Sequence, residues 1–393
     1  LIKYMWSAIC SDQMTSTINN EDTIKFLSRY NIIPKYGFPV DVVPMVPASG
    51  NSTSDLSRDL RMAISEFAPG CEVVVDGKKV CSQFVTPLPA NKTWIQYRYC
   101  KCENCGKMVV VINNELPDDD PEVKKLLSKC SCGSDLGSMH KFIKPELGFK
   151  YVDSKTSIIE KPVKIYNNNI SFCDSYALDE SIRKIGAEDI QIHSITNGKL
   201  VAVNDNHFMI CKKCGYTTQI SSLGKNNPNG KEHKNSKGNA CSCMYLTPLD
   251  LGHIFYTDVL IIRFVTHPCT ILKNARSILY ALIEGFCRAF SIERGEISGC
   301  LDNINGSYSF ILFDNTPGGS GYVASVSNDD SFVEVLKEAY NLVKNCKCGG
   351  PNGDTSCYNC LRNYNNQRWH DDLERGVVVN FIESLEIDEL WKD

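Results

Sequence analysis

No stretch of this 393-residue chain approaches the roughly 18–20 consecutive apolar residues that cross a bilayer. The most apolar run, Asp258 to Val265, reads as a core strand. A secretory leader is not expected either: Leu1-Ile-Lys-Tyr-Met5 has no charged start followed by an apolar stretch. Nor is there a Gly-x4-Gly-Lys-[Ser/Thr] phosphate cradle; Gly224-Lys225 is followed by Asn226 and lacks the upstream glycine. An Asp-Glu-x-[Asp/His] box is also missing, so the chain holds no groups of its own for ATP hydrolysis. The elements of a zinc deaminase, His-x-Glu and Pro-Cys-x2-Cys, are absent too. With 42 basic against 46 acidic residues the formal charge is −4, which excludes a general-purpose DNA coat. Any contact with nucleic acid has to be local.

What the chain has in excess is cysteine, 20 residues in all, and twelve of them form three compact sets. Cys102-x2-Cys105 is followed by Cys130-x-Cys132, Cys211-x2-Cys214 by Cys241-x-Cys243, and Cys346-x-Cys348 by Cys357-x2-Cys360. Two thiolates one or two residues apart curl around one ion, and a second such pair completes a tetrahedron. The spacing therefore predicts about three zinc ions. Each four-thiolate site carries about 2−, which would take the whole chain to about −10. Two substitutions stay open: His233 for Cys241 or Cys243 in the second set, and Cys100 in the first. The thiols Cys10, Cys71, Cys81, Cys173, Cys269, Cys287 and Cys300 sit singly, several among apolar neighbours as buried free cysteines do. A disulfide scaffold is the competing account, but such scaffolds are small and secreted. A reducing, cytoplasmic setting is expected.

Four segments are expected in an α/β (α+β) multidomain chain: a connecting segment at 1–98, a zinc ribbon at 99–140, a β-rich unit with the second knuckle at 141–245, and an α/β zinc-binding domain at 246–393. A short helix is expected at 20–28, and a hairpin at 72–85 turning on Asp76-Gly77. Small strands are expected through 141–210. Strands at 257–265 and 308–314 alternate with helices near 274–291 and 330–344.

Several segments carry a resemblance. They are Phe26-Leu-Ser-Arg-Tyr-Asn-Ile-Ile-Pro-Lys-Tyr-Gly-Phe-Pro-Val-Asp-Val-Val43, Phe67-Ala-Pro-Gly70, Leu251-Gly-His-Ile-Phe-Tyr-Thr-Asp258, Asp314-Asn-Thr-Pro-Gly-Gly-Ser-Gly321 and Cys357-Tyr-Asn-Cys-Leu-Arg-Asn-Tyr-Asn-Asn-Gln-Arg-Trp-His370. Together they resemble the C-terminal region of bacterial DEAD/DEAH-like superfamily 2 helicases, ending in the MrfA-type zinc-binding domain. Similar regions occur in helicases and partner subunits of DISARM- and Druantia-type antiphage systems. The resemblance implies a part in DNA unwinding for repair or defence, with a helicase motor upstream or in a partner chain. The opening at Leu1 fits a piece of something longer.

The candidate nucleic-acid contacts are Arg362, Asn363, Tyr364, Gln367, Arg368 and Trp369, directly after the last cysteine, with Lys231 and Lys234 in a basic excursion. Arginine meets phosphate, amides bond base edges and aromatic faces stack on unpaired bases, so single-stranded DNA is the expected partner. A non-DNA-binding scaffold that recruits repair or defence subunits is the first alternative. The second is a magnesium-dependent nuclease built on Asp258, Glu296 and Asp314. The glycines after Asp314 allow either a phosphate-binding turn or a purely structural one.

Overall fold

A computed structural model describes residues 41–49, 56–154, 160, 162–164, 169–174, 182–223, 232–243, 245–316, 318–326 and 329–387. The expected helix at 20–28, most of the 26–43 segment, Cys10 and Lys231 lie outside the described residues. Among the described residues the architecture is mixed α+β with three sheets.

The five-stranded sheet has the order β2-β1-β8-β4-β3. Its strands are β1 (Val42–Pro47), β2 (Ser57–Asp59), β3 (Glu72–Val75), β4 (Lys78–Val85) and β8 (Phe149–Asp153). Asp76 and Gly77 both take positive φ, 48° and 73°, as the tight hairpin between β3 and β4 demands. The nine-stranded sheet comprises β5 (Gln96–Lys101), β6 (Met108–Val111), β7 (His140–Ile143), β9 (Asn169–Phe172), β10 (Ile182–Ile185), β11 (Glu188–Asn204), β15 (Asp250–Phe264), β16 (Ile297–Ile304) and β17 (Ser307–Asp314). A small third sheet orders β13 (Thr217–Gln219), β12 (Phe208–Ile210) and β14 (Thr247–Pro248). The α-helices among the described residues are α1 (Leu60–Glu66), α2 (Pro121–Leu126), α3 (Leu272–Ala289), α4 (Asp329–Asn345) and α5 (Arg375–Ser384).

The spine is the antiparallel ladder between β11 and β15, interrupted by a bulge between Ile195 and Gly198. Where short strands were expected within 141–210, β11 alone runs 17 residues, because the length of its partner β15 sustains pairing along it. Side chains alternate across the sheet. Leu260, Ile262, Phe264, Phe310 and Leu312 therefore face one core with α3, α4 and α5. Val259, Ile261, Ile311 and Phe313 face a second core with α1 and the five-stranded sheet. Helices, large sheet and smaller sheet thus stack as layers, and β17 is buried along its whole length. The nine-stranded sheet draws strands from each of the segments expected at 99–140, 141–245 and 246–393, so one sheet runs across those boundaries. Among the described residues no helix is long and apolar enough to cross a membrane.

Candidate metal centres and nucleic-acid cleft

The first knuckle follows directly from β5. The backbone turns at Gly106 (φ 80°), whose N–H donates to the Cys102 carbonyl at 2.8 Å, bringing Cys105 beside Cys102. α2, capped by the Asp120 carboxylate, leads into the second turn, where Gly133 N–H donates to the Cys130 carbonyl at 2.9 Å. Cys102 and Cys132 then stand with their sulfurs 3.6 Å apart, as do Cys105 and Cys130. Thiol-to-thiol hydrogen bonding between Cys105 and Cys130 holds the Cys130 pKa below the ordinary thiol value and pushes that of Cys105 above it. Cys100 is not drawn in; its thiol faces the Gly137 carbonyl at 3.6 Å. The knuckle docks on the β16–β17 hairpin through Lys107 to Asp302 at 2.7 Å and Ser131 Oγ to the Asn303 carbonyl at 2.7 Å.

The third knuckle closes the end of α4. Its sulfurs lie at 3.4 Å (Cys346–Cys348), 3.6 Å (Cys346–Cys357), 3.7 Å (Cys348–Cys360) and 3.8 Å (Cys357–Cys360). A tetrahedron with Zn–S bonds of 2.3 Å has edges of about 3.8 Å, whereas a disulfide would hold its sulfurs at about 2.05 Å. All cysteines among the described residues are free thiols. The first and third sets therefore fit a structural zinc, which would supply four fixed bonds and leave no open position.

The second set departs from the expected four cysteines. Cys211, Cys214, His233 and Cys241 offer donor atoms all within 4.8 Å of one another. Cys243 is outside the group, its thiol donating to the Tyr245 carbonyl at 3.1 Å. The reason is a small hairpin. Lys234 pairs with Ala240, and the Cys241 N–H donates to the His233 carbonyl at 3.0 Å, so His233 and Cys241 emerge together. The His233 ring is buried and stacks on Tyr216 at 5.0 Å. Three thiolates and one imidazole are an ordinary structural zinc set.

Three arginines hold the third knuckle in place. Arg375 donates to the carbonyls of Cys348 and Gly350, both at 2.6 Å. Arg294 donates to those of Tyr358 at 3.0 Å and of Cys360 and Arg362 at 3.3 Å, and its Nε lies 2.5 Å from the buried Glu284 carboxylate. Arg362, expected at the nucleic-acid face, is occupied with Ser356, Thr355 and the His370 carbonyl, each at 3.1 Å. The roles of Arg294 and Arg375 escaped the sequence reading, since nothing local marks an arginine whose acceptors are remote backbone carbonyls.

Between the first and third knuckles runs a cleft of ≈ 880 Å³. It is lined by Lys101, Cys102, Glu103, Cys105 and Gly106, by Arg61 and Glu66, by residues of α3, and by Asn363, Tyr364, Asn365, Arg368 and Trp369. Trp369 is clasped between the guanidinium groups of Arg276, 3.6 Å from its ring centre, and Arg368, at 4.5 Å. Burial lowers the Arg368 pKa below its ordinary value. Tyr364 is half exposed at the rim, with Lys164 4.9 Å from its ring centre. Arg276 pairs with Asp372, Lys101 with Asp205, and Arg61 with Asn315. Gln367 and Lys234 do not line the cleft. Asn363 lines it, but its Oδ1 accepts from the N–H groups of Asn365 and Asn366.

The nuclease set is not assembled. Among the described residues Asp258, Glu296 and Asp314 do not converge as a metal-holding group. Asp314 is fully buried and accepts from the N–H groups of Ser320 at 2.6 Å, Val323 at 3.0 Å and Tyr322 at 3.1 Å. Those amides are engaged within the loop, so the glycine-rich turn is structural rather than a phosphate cradle.

Comparison with known proteins adds the following. The Druantia protein DruE of Escherichia coli (strain UMEA 4076-1) is 22% identical over 423 residues, covering 92% of this chain and 22% of that protein. The chain thus spans about a fifth of the length of that curated relative. The crystal structure of the DUF1998 helicase MrfA bound to DNA matches with a TM-score of 0.40 and 9% identity, covering 92% of this chain and 35% of the other. The same helicase bound to DNA and AMPPNP matches with a TM-score of 0.34 and 8% identity, covering 87% and 31%. Residues 278–361, from the middle of α3 through the last cysteine of the third knuckle, match the family described as the MrfA Zn-binding domain.

Proposed function

We propose that this chain is the zinc-stapled accessory region of a DNA helicase system, in which the cleft guides a single strand in repair or antiphage defence. The observation that carries the reading is the cleft itself. Tyr364, Arg368 and Trp369, from the segment after the third knuckle, line one cleft together with Lys101, Arg61 and the first knuckle's Cys102 and Cys105. Stackable aromatic faces beside cations suit unpaired bases and their phosphates. A cleft of ≈ 880 Å³, with Asp258, Glu296 and Asp314 not assembled as a metal-holding group among the described residues, favours passage of a strand over chemistry. Support for the helicase setting comes from the match to a domain named for MrfA, itself a helicase solved with DNA, and from the likeness to a Druantia protein. ATP hydrolysis then belongs to a motor elsewhere in the parent polypeptide or in a partner, in the cytoplasm. The zinc ions are structural: they hold the walls and fix the loops on which partner subunits dock.

Fluorescence anisotropy with labelled oligothymidine at low salt tests the reading. Tyr364→Ala, at the exposed rim, should weaken binding about tenfold, and Arg368→Ala by a similar factor, in line with roughly 1–3 kcal/mol per stacked base. Absence of binding by the unsubstituted chain sinks the proposal and leaves the interaction scaffold, while a preference for duplex sinks the single-strand assignment.

A further inference from the structure

A second kind of metal-binding arrangement stands apart from the three knuckles. His140 opens β7, Asp250 opens β15 beside it, and His207 sits at φ 55° in the turn before β12. Their donor atoms all lie within 4.8 Å of one another. The two imidazole rings face each other at 4.8 Å and 23°, and His207 Nδ1 lies 3.5 Å from Asp250 Oδ2. That oxygen also accepts from the Tyr99 hydroxyl at 2.7 Å. Asp250 is 3% exposed, and its second oxygen, Oδ1, is buried without a hydrogen-bond partner. A buried carboxylate oxygen with nothing to bind carries a desolvation cost that a cation removes. Lys101 is the nearby lysine, and it is engaged with Asp205 at 2.7 Å.

We propose that His140, His207 and Asp250 form a fourth site, distinct from the cysteine knuckles, for a first-row divalent metal ion. Two imidazoles and one carboxylate are the ligand types that zinc, cobalt and nickel take. Three protein ligands leave a coordination position open to water or another oxygen ligand, which the knuckles cannot offer. The Tyr99 hydroxyl bonds the ligating carboxylate and orients it from behind, as outer-shell partners of metal sites do. The site has one carboxylate charge, so a divalent ion neutralises it with one positive charge to spare.

The full chain, carrying three zinc ions for its three knuckles and no more, is dialysed to equilibrium against micromolar cobalt(II), and zinc and cobalt are counted by elemental analysis alongside the visible spectrum. The expected result is one cobalt per chain with no loss of zinc, showing d–d absorption without a sulfur-to-cobalt charge-transfer band. His207→Asn, which tolerates the left-handed backbone, should lose that cobalt, as should His140→Gln. Tyr99→Phe should weaken binding about tenfold, and the remote His193→Ala should leave it unchanged. No extra cobalt, equal uptake by the unsubstituted chain and both histidine variants, or uptake matched by released zinc and a thiolate band would each overturn the assignment.

Discussion

Arg294 gives the sharpest quantitative test of how the third knuckle is held. Its guanidinium binds three backbone carbonyls of the segment 358–362 and the Glu284 carboxylate, which is only 7% exposed, while Arg294 itself is 42% exposed. Burial raises the Glu284 pKa, and the pairing with Arg294 works against that rise. Truncation to alanine leaves a buried carboxylate without its cation. For a fully buried pair this costs about 3–5 kcal/mol, but water reaches the Arg294 side, so about 2 kcal/mol is a better figure. The three carbonyl bonds, partly replaced by water, add about 1 kcal/mol. Arg294→Ala should therefore destabilise the chain by about 3 kcal/mol, equivalent to roughly 100-fold in local opening of the knuckle. Urea unfolding reports the first quantity; the rate at which a chromogenic chelator strips zinc reports the second. Glu284→Gln combined with Arg294→Ala should recover about half the loss, because the orphaned charge is gone. Unchanged zinc release in the single variant would refute the clamp, and a double variant no better than the single would refute the charge argument.

Three further outcomes follow from the geometry. Cys243→Ser should keep the zinc content of the second site, whereas His233→Ala should lower it by about one ion per chain, as counted by elemental analysis. Gly215→Ala should destabilise by about 2 kcal/mol or more, since φ is +76° and a Cβ would stand 1.9 Å from the Val85 carbonyl oxygen; thermal unfolding measures it. Asp314→Ala should cost about 3 kcal/mol, because it strips acceptors from three amides including the buried Val323 N–H. Differential scanning calorimetry checks that cost, and a wild-type melting profile would show that the loop holds itself.

Local signals were legible in the sequence and long-range pairings were not. Asp76-Gly77 announced its hairpin because positive φ at both positions is a property of those two residues. The periodicity of 274–291 and 330–344 likewise marked α3 and α4 to within a few residues, since each buries one stripe against the same sheet. The cysteine pairs showed where knuckles form, but not which residue completes the second. That choice rests on the Lys234–Ala240 bridge, which turns His233 toward Cys241 and carries Cys243 past the centre. The pairing of distant strands was hidden for a related reason. A strand shows its alternation but not its partner, and β11 finds its partner about 60 residues away in β15. Arginine was the least legible residue. Arg362 and Arg368, six positions apart in one run, do different work: one holds carbonyl and hydroxyl oxygens inside the knuckle, the other lies against Trp369 at the cleft.

The position of the cleft gives the metal sites a consequence beyond local stability. Cys102, Cys105 and Cys130 of the first knuckle and Cys360 of the third belong to the same hydrophobic cluster as α3, α4 and α5. The two knuckles are therefore fastened to one core, and side-chain packing at close to crystalline density sets their separation. Opening either knuckle would disturb the cleft lining and expose core at once, so zinc content, stability and cleft geometry should be lost together. Net attraction for phosphate is a different matter. Of the cleft's cations, Arg276, Arg294 and Lys101 already face carboxylates. That leaves few charges to displace counterions, and binding of a single strand should weaken only gently with salt, with a logarithmic slope of about −0.7 per phosphate neutralised and only one or two phosphates involved. A steep slope would mean that the strand lies on some other, more basic face, and anisotropy titrations across a salt series distinguish the two.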